Sequence, residues 1–112
     1  MKYFKRSEFA CKCGCGLDTV DYELAKVVDN LREHFNAPTV ITSGCRCEEH
    51  NKSVGGAKGS KHTLGIACDL KVAGANPRQV YDYLDNKYPD NYGLGVYSSW
   101  VHIDVRHTRA RW

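Results

Sequence analysis

The last predicted strand of this 112-residue chain carries two polar side chains of types that bind metal ions. Alternation over residues 100–105 places Trp100, His102 and Asp104 on one face and three apolar residues on the other. Because the apolar face must be the core face, we expect the imidazole and the carboxylate to be exposed beside the indole. A rigid strand is a common support for metal ligands, but for this pair alone a solvated strand face is the simpler explanation.

A second polar pair lies at the end of a glycine-rich stretch. His62 ends that stretch, and Asp69 follows seven residues later inside an apolar strand. A carboxylate in an apolar strand costs several kcal/mol unless it is paired, hydrogen-bonded or bound to a metal. With His102 the pair makes two imidazoles and one carboxylate, a set that suits Zn²⁺ and leaves its fourth position open for water. Zinc lowers the pKa of bound water to roughly 7 and polarises a carbonyl, which together would allow amide hydrolysis.

Five of the six cysteines come in close C-x-C spacings that cannot easily bridge within each pair; they are Cys11, Cys13, Cys15, Cys45 and Cys47. One hypothesis is a second, structural zinc held by four of these five thiolates, which would join the N-terminal loop to the loop around residue 46. The other is one or two disulfides formed after release into an oxidising space. Cys68 is expected to be a small buried hydrophobe. Because no cysteine has a recognisable histidine partner, a cysteine protease is disfavoured.

Composition excludes several classes of protein. Sixteen Lys and Arg against thirteen Asp and Glu give a charge of +3, too small an excess to indicate nucleic-acid binding. No stretch approaches the roughly 18 to 20 apolar residues of a membrane span, and residues 1–10 contain no apolar signal core. We therefore expect a single monomeric domain over residues 1–112, made in the cytoplasm without a signal peptide and binding neither nucleic acid nor membrane.

The hydrophobic pattern predicts the elements that position these groups. Residues 1–18 form a Cys-rich loop, and a helix over 20–35 is capped by Asp18, Thr19 or Asp21. Residues 39–42 are β-branched and predict a buried strand. The polar stretch 43–64 has room only for a short helix over 48–54, and loops of this length are usually functional.

The rest of the chain predicts one more helix and three strands. Residues 66–72 form a strand, and Asn76-Pro77 begins a helix that ends at Pro89. Strands over 92–97 and 100–105 join through a tight turn at Ser98-Ser99. The predicted class is α+β, with a small, largely antiparallel sheet that carries a zinc site on one face and is flanked by two main helices.

Three motifs in this order resemble the zinc D-Ala-D-Ala carboxypeptidase family. They are Thr42-Ser43-Gly44-Cys45-Arg46, Ser60-x-His62-x-x-Gly65-x-Ala67-x-Asp69 and Trp100-Val101-His102-Ile103-Asp104, within a motif-bearing core over residues 39–105. The resemblance implies that His62, Asp69 and His102 bind zinc and that Arg46 approaches the substrate. The family includes peptidoglycan carboxypeptidases, endopeptidases and phage endolysins, and the short Cys-rich start resembles its phage and prophage members.

The resemblance leaves the general base open. Related enzymes often carry a histidine two residues before the last zinc ligand, where this chain has Trp100. An indole cannot accept a proton, so Asp104 is the first candidate for that role, although it could instead orient a zinc ligand. His50 and His107 are weaker candidates. The Arg46 guanidinium could bind a terminal carboxylate or stabilise an oxyanion, or it could belong to a surface ion pair.

The residues and the resemblance together predict a zinc peptidase that hydrolyses peptidoglycan stem peptides or cross-bridges and acts on the cell wall if released. The loop over 49–61, with Tyr97 and Trp100, would line the substrate groove. An inactive module that binds cell wall or peptides on the same fold is the alternative, because Trp100 replaces a histidine. A nucleic-acid binder built on a cysteine zinc site would leave His62, Asp69 and His102 unexplained.

Overall fold

A mixed five-stranded sheet forms the centre of the computed structural model, which describes all 112 residues. In chain order its strands are β1 (Thr39–Ser43), β2 (Ala67–Val72), β3 (Gly93–Val96), β4 (Val101–Asp104) and β5 (Ala110–Arg111). Their order across the sheet is β1-β2-β4-β3-β5, and every pairing is antiparallel except β3 with β5. The predicted α+β class with a largely antiparallel sheet is therefore confirmed.

Three α-helices accompany the sheet: α1 (Tyr22–Phe35), α2 (Glu48–Ser53) and α3 (Pro77–Lys87). Of the three predicted caps of α1, Asp21 is the one used, since its carboxylate accepts from two backbone N–H groups of the first turn. Asn36 ends α1 in a left-handed conformation. A reciprocal capping box between Asn76 and Gln79 begins α3. None of the three helices combines the length and apolar composition needed to cross a bilayer.

The sheet has one apolar face and one polar face. Directly opposed residues of neighbouring strands share a face, and Cys68, Ile103 and Leu94 stand in one such row. This row belongs to a core of 18 buried residues, which also includes other apolar residues of the sheet and residues of α1, α3 and the N-terminal segment. The next row, on the opposite face, is Asp69, His102 and Gly95. Because the apolar rows are buried against the helices, the row that carries Asp69 and His102 lies on the other face of the sheet.

The structure corrects three expectations about the elements. The strand over 39–42 is not buried: as β1 it is the edge of the sheet, and Val40 is 57% exposed. The N-terminal 18 residues are more than a Cys-rich loop, because Arg6–Phe9 forms a 3₁₀ turn and Phe4 and Phe9 are buried in the core. Strand β5 was not predicted, since two residues are too few to show a period and pair only through tertiary contact.

Candidate active site

His62 is positioned by a 3₁₀ turn, Lys61–Leu64, that follows the glycine-rich loop. The Ser60 hydroxyl accepts from the backbone N–H of His62 and caps the turn. The imidazole is buried, and its Nδ1 lies 2.7 Å from the carbonyl oxygen of Gly44. The backbone carbonyl of His62 accepts from Arg46 N–H at 3.0 Å. The turn and the segment after β1 therefore hold His62 in place from two directions.

Asp69 and His102 come together because β2 and β4 place them directly opposite each other. His102 Nδ1 lies 3.1 Å from Asp69 Oδ1, and His62 Nε2 lies 3.4 Å from the same oxygen. The potential ligand atoms of the three residues all lie within 4.8 Å of one another. The structure thus brings together the three side chains that the sequence singled out for zinc, His62, Asp69 and His102, which we call the trio.

The hydrogen bonds around the two imidazoles show that the group fits a metal ion. A carbonyl oxygen can only accept, so His62 Nδ1 carries a proton and the Nε2 of the neutral ring directs a lone pair toward Asp69. His102 repeats this arrangement with its nitrogens exchanged: Nε2 donates to Asp104 and Nδ1 faces Asp69. When both rings are neutral, two nitrogen lone pairs and the Asp69 carboxylate converge in a buried space, where a cation would fit between them. Imidazoles whose second nitrogen is fixed by an acceptor are typical of zinc sites.

Asp104 is fully buried, so the expectation that it and His102 are exposed is wrong. Its carboxylate contacts His102 Nε2 at 2.7 Å and receives two hydrogen bonds from the Arg106 guanidinium, at 2.7 and 2.8 Å. Burial by itself raises the pKa of Asp104, but the hydrogen bonds from His102 and Arg106 outweigh it and hold that pKa well below its usual range. Asp104 does not line the open cavity beside the trio. This geometry favours the orienting role over the role of a proton acceptor.

Gly93 makes the room for this buried pair. It stands opposite Asp104 in the β3–β4 register. A Cβ at this position would lie 2.7 Å from Arg106 Nε and closer still to the Asp104 carboxylate. Only glycine therefore leaves the carboxylate and the guanidinium their present positions against the strand.

Arg46 reaches the trio from the segment after β1. Its guanidinium donates to the Ser43 hydroxyl at 3.0 Å, to Asn51 Oδ1 at 3.1 Å and to Asp69 Oδ2 at 3.3 Å. Its side chain is only 14% exposed, so a surface ion pair does not describe it. Burial raises the pKa of Asp69, but contacts with His102 and His62 prevail and lower it to about 2. The site therefore pairs an anionic carboxylate with a fixed cation.

The trio opens into a cavity of about 530 Å³. The glycine-rich loop forms one wall, and three aromatic residues, Tyr97, Trp100 and Trp112, line the cavity as well. Tyr97 and Trp100 stack with ring centres 4.6 Å apart, and the indole N–H of Trp112 donates to the Tyr97 hydroxyl at 2.8 Å. Sequence analysis pointed to Tyr97 and Trp100 but missed Trp112, which has no periodic context at the end of the chain.

No aspartate or glutamate other than Asp69 lines the cavity. His50 and His107, the weaker candidates for the base, do not line it either.

Asn51, in α2, was also missed by sequence analysis because the polar stretch that contains it has no motif. It is buried, accepts from Arg46 and donates to the Ala57 carbonyl at 3.0 Å, which ties Arg46 to the glycine-rich loop.

A second group of potential ligands lies apart from the trio and consists of Cys11, Cys13, Cys15 and Cys47, whose sulfur atoms are within 4.8 Å of one another. The hypothesis drew four thiolates from five candidate cysteines, and Cys45 is the candidate that lies outside the group. All six cysteines are free thiols. Cys68 is completely buried in the core, as predicted.

The comparisons with known proteins agree with this arrangement. The sequence model of one family, described as Peptidase M15, matches residues 2–104. No curated protein and no solved structure matched the chain. The matched range includes the trio, Arg46, Asp104 and the four clustered cysteines. With more than nine tenths of its length matched, the chain belongs to the peptidase M15 family of zinc-dependent metallopeptidases.

Proposed function

We propose that the protein hydrolyses amide bonds in the stem peptides or cross-bridges of peptidoglycan, as a D-Ala-D-Ala carboxypeptidase-like enzyme or a phage-type endolysin. The observation that carries this proposal is the convergence of two imidazole lone pairs and the Asp69 carboxylate beside Arg46 at the floor of an open cavity. The order of the three motifs adds the substrate class, through their resemblance to peptidoglycan enzymes.

Each of the surrounding residues has a separate task in this mechanism. When bound by His62, Asp69 and His102, one zinc ion supplies an activated water and polarises the scissile carbonyl. Asp104 holds the His102 ring so that Nδ1 faces the ligand position. Arg46 places a fixed positive charge next to Asp69, where it can stabilise the negative charge that develops on the carbonyl oxygen.

The cavity suits a short peptide that ends in a carboxylate. Arg46, Lys61 and Arg106 supply cationic groups around it, and no free carboxylate opposes them. The stacked rings of Tyr97 and Trp100 offer a flat apolar wall for small side chains. We expect the enzyme to work as a monomer, to bind neither nucleic acid nor membrane, and to reach the cell wall after release from the cytoplasm.

A binding module on the same fold is the second candidate. Two observations favour it: Trp100 stands where related enzymes often carry a histidine, and the cavity is lined by no carboxylate other than Asp69. Such a module would retain the metal and the aromatic wall but would lack a group that accepts a proton from water.

Mass spectrometry of purified peptidoglycan incubated with zinc-loaded protein distinguishes the two functions. We expect new amine and carboxylate ends with the native chain and none with His102→Ala, and the fragment masses identify the bond. His107→Ala is the matched control, because His107 is an exposed histidine outside the site. An unchanged wall that carries sedimented protein would establish the binding module, and neither cleavage nor sedimentation would refute the substrate class.

A further inference from the structure

The four clustered cysteines lie on two segments that are far apart in the chain. Cys11, Cys13 and Cys15 follow the 3₁₀ turn Arg6–Phe9, whereas Cys47 directly precedes α2. We propose that these four thiolates bind a second zinc ion, which joins the N-terminal segment to the segment that carries Arg46.

The distances between the sulfur atoms fit a tetrahedral zinc site. With Zn–S bonds of about 2.3 Å, the edge of a regular tetrahedron of sulfurs measures about 3.8 Å. Cys11 Sγ lies 3.4 Å from Cys13 Sγ and 3.8 Å from Cys47 Sγ, and Cys13 Sγ lies 3.6 Å from Cys47 Sγ. A disulfide requires about 2.05 Å between its sulfurs. These three separations match thiolates around one ion better than a disulfide between any two of the three residues, and Cys15 Sγ lies within 4.8 Å of all three sulfurs.

The local backbone is shaped to bring three closely spaced thiols to one side. Gly14 and Gly16 both adopt positive φ, which lets the chain turn back twice within a few residues. The N–H of Cys11 donates to the carbonyl of Leu17 at 2.7 Å and closes this loop. A C-x-C-x-C run in an extended conformation would point its side chains one way but too far apart, so the glycines are needed for convergence.

Backbone N–H groups also point at the sulfurs. Cys47 N–H donates to Cys11 Sγ, and His50 N–H in the first turn of α2 donates to Cys47 Sγ, each at 3.4 Å. Such donors stabilise negative charge on sulfur. Since a metal-bound cysteine is a thiolate, this arrangement suits ligation.

The ion would reinforce a junction that leads directly to the catalytic trio. Cys45 N–H donates to the Phe9 carbonyl at 2.8 Å, and Arg46 N–H donates to the His62 carbonyl at 3.0 Å. Cys47 is the N-cap of α2, the helix that contributes Asn51 to the Arg46 guanidinium. Zinc bound to the cysteines therefore restrains Arg46 through Cys47 on one side, and the hydrogen bond between Cys45 and Phe9 restrains it on the other. This consequence for activity rests on the proposed function, whereas the metal site itself does not.

Zinc stoichiometry tests the site without any activity measurement. We expect two zinc ions per native chain, one in the double variant Cys13→Ser/Cys15→Ser, and one in His62→Ala/His102→Ala. Cys13 and Cys15 are exposed, so their replacement removes ligands without opening the core. Cys45→Ala is the matched control, because Cys45 neighbours the cluster but is not part of it, and it should retain two ions.

A single zinc in the native chain that survives Cys13→Ser/Cys15→Ser would overturn the proposal. So would thiols that resist alkylation until they are reduced, which would show disulfides in their place. If the double variant fails to fold, cobalt substitution of His62→Ala/His102→Ala decides: intense sulfur-to-cobalt charge-transfer absorption supports the site, and its absence refutes it. If the native chain binds two zinc ions but does not cleave peptidoglycan, only the peptidase function is refuted and the cysteine site stands.

Discussion

His102 contacts two carboxylates, and the two have different roles. Asp69 lies beside Nδ1 of His102, on the side of the candidate metal site. Asp104 accepts a hydrogen bond from Nε2 of His102 and is held in turn by Arg106. Asp104 is buried without access to the cavity, so its influence on zinc passes through the imidazole. A residue in this position sets the tautomer and the direction of the lone pair.

Asp104→Asn should weaken zinc binding at the trio about 10- to 100-fold, the usual cost of losing a carboxylate behind a metal-ligating histidine. The neutral amide attracts the imidazole N–H less and leaves Arg106 without its anionic partner. Competition titration with a chelator, performed on the Cys13→Ser/Cys15→Ser background, measures this site alone. Asp90→Asn, at an exposed residue, serves as the control. Equal affinities for the two variants would contradict the orienting role.

Arg46→Ala should reduce kcat by about 10²- to 10³-fold if its guanidinium stabilises charge in the transition state. The zinc content should stay unchanged, since Arg46 is not a ligand. Steady-state kinetics on a synthetic stem peptide provide the measurement, and Arg78→Ala on the exposed face of α3 provides the control. A raised KM with unchanged kcat would show instead that Arg46 binds a substrate carboxylate in the ground state.

At the scale of elements, the short strand β5 has more influence than its two residues suggest. It pairs in parallel with β3 and carries the chain to Trp112, whose indole lies against Gly95 and reaches Tyr97. Arg111 anchors it, because its guanidinium donates to Asp85 and to the carbonyls of Tyr88, Asn91 and Tyr92. The wall of the cavity thus depends on a contact between the last residues and the end of α3.

Arg111→Ala should lower the free energy of unfolding by about 2 kcal/mol, because three partly buried carbonyls and Asp85 lose their donor. The neighbouring Arg109 is half exposed, and its contact with Asp85 is 3.9 Å long. Arg109→Ala should therefore change stability by no more than about 0.5 kcal/mol. Urea denaturation of both variants gives the comparison. Equal losses would show that β5 does not anchor the chain end.

At the scale of the whole molecule, protons would compete with zinc for the buried groups of the proposed metal site. Burial lowers the pKa of His102, but hydrogen bonds with Asp104 and Asp69 outweigh it and raise that pKa above its ordinary value. In the metal-free chain, protonated His102 therefore stabilises the fold below about pH 6.5. This stabilisation is lost as the pH rises through the raised pKa of His102. Asp69 and Asp104, with lowered pKa values, contribute stability above about pH 4 that is lost on further acidification.

We therefore expect the metal-free chain to be most stable between about pH 4 and 6.5, and the gain in Tm on adding zinc to grow from pH 5.5 to pH 8. Zinc binds deprotonated imidazoles, so protonation at low pH opposes it. Thermal denaturation of Cys13→Ser/Cys15→Ser with and without zinc across this range measures the effect. His62→Ala/His102→Ala on the same background should show no gain. A gain that does not vary with pH would argue against imidazole ligands.

Much of this protein can be predicted from local features of its sequence. The period of residues 20–35 and the Asn76-Pro77 start located α1 and α3, since periodicity and caps are properties of neighbouring residues. The three motifs pointed to the trio because residue type and strand alternation limit which side chains share a face. The position of β1 at the edge of the sheet could not be predicted in this way, because the composition of a strand does not specify its neighbours.

The sequence by itself therefore determined the class of fold, the order of its main elements and the three side chains that come together in the candidate metal site. Only the tertiary structure decided that Asp104 is buried behind His102, that four of five candidate cysteines cluster, and that Trp112 lines the cavity. The physical reason is the range of the interactions. Helix periods and strand alternation depend on adjacent residues, whereas these three features depend on contacts whose register is set by burial of the common core.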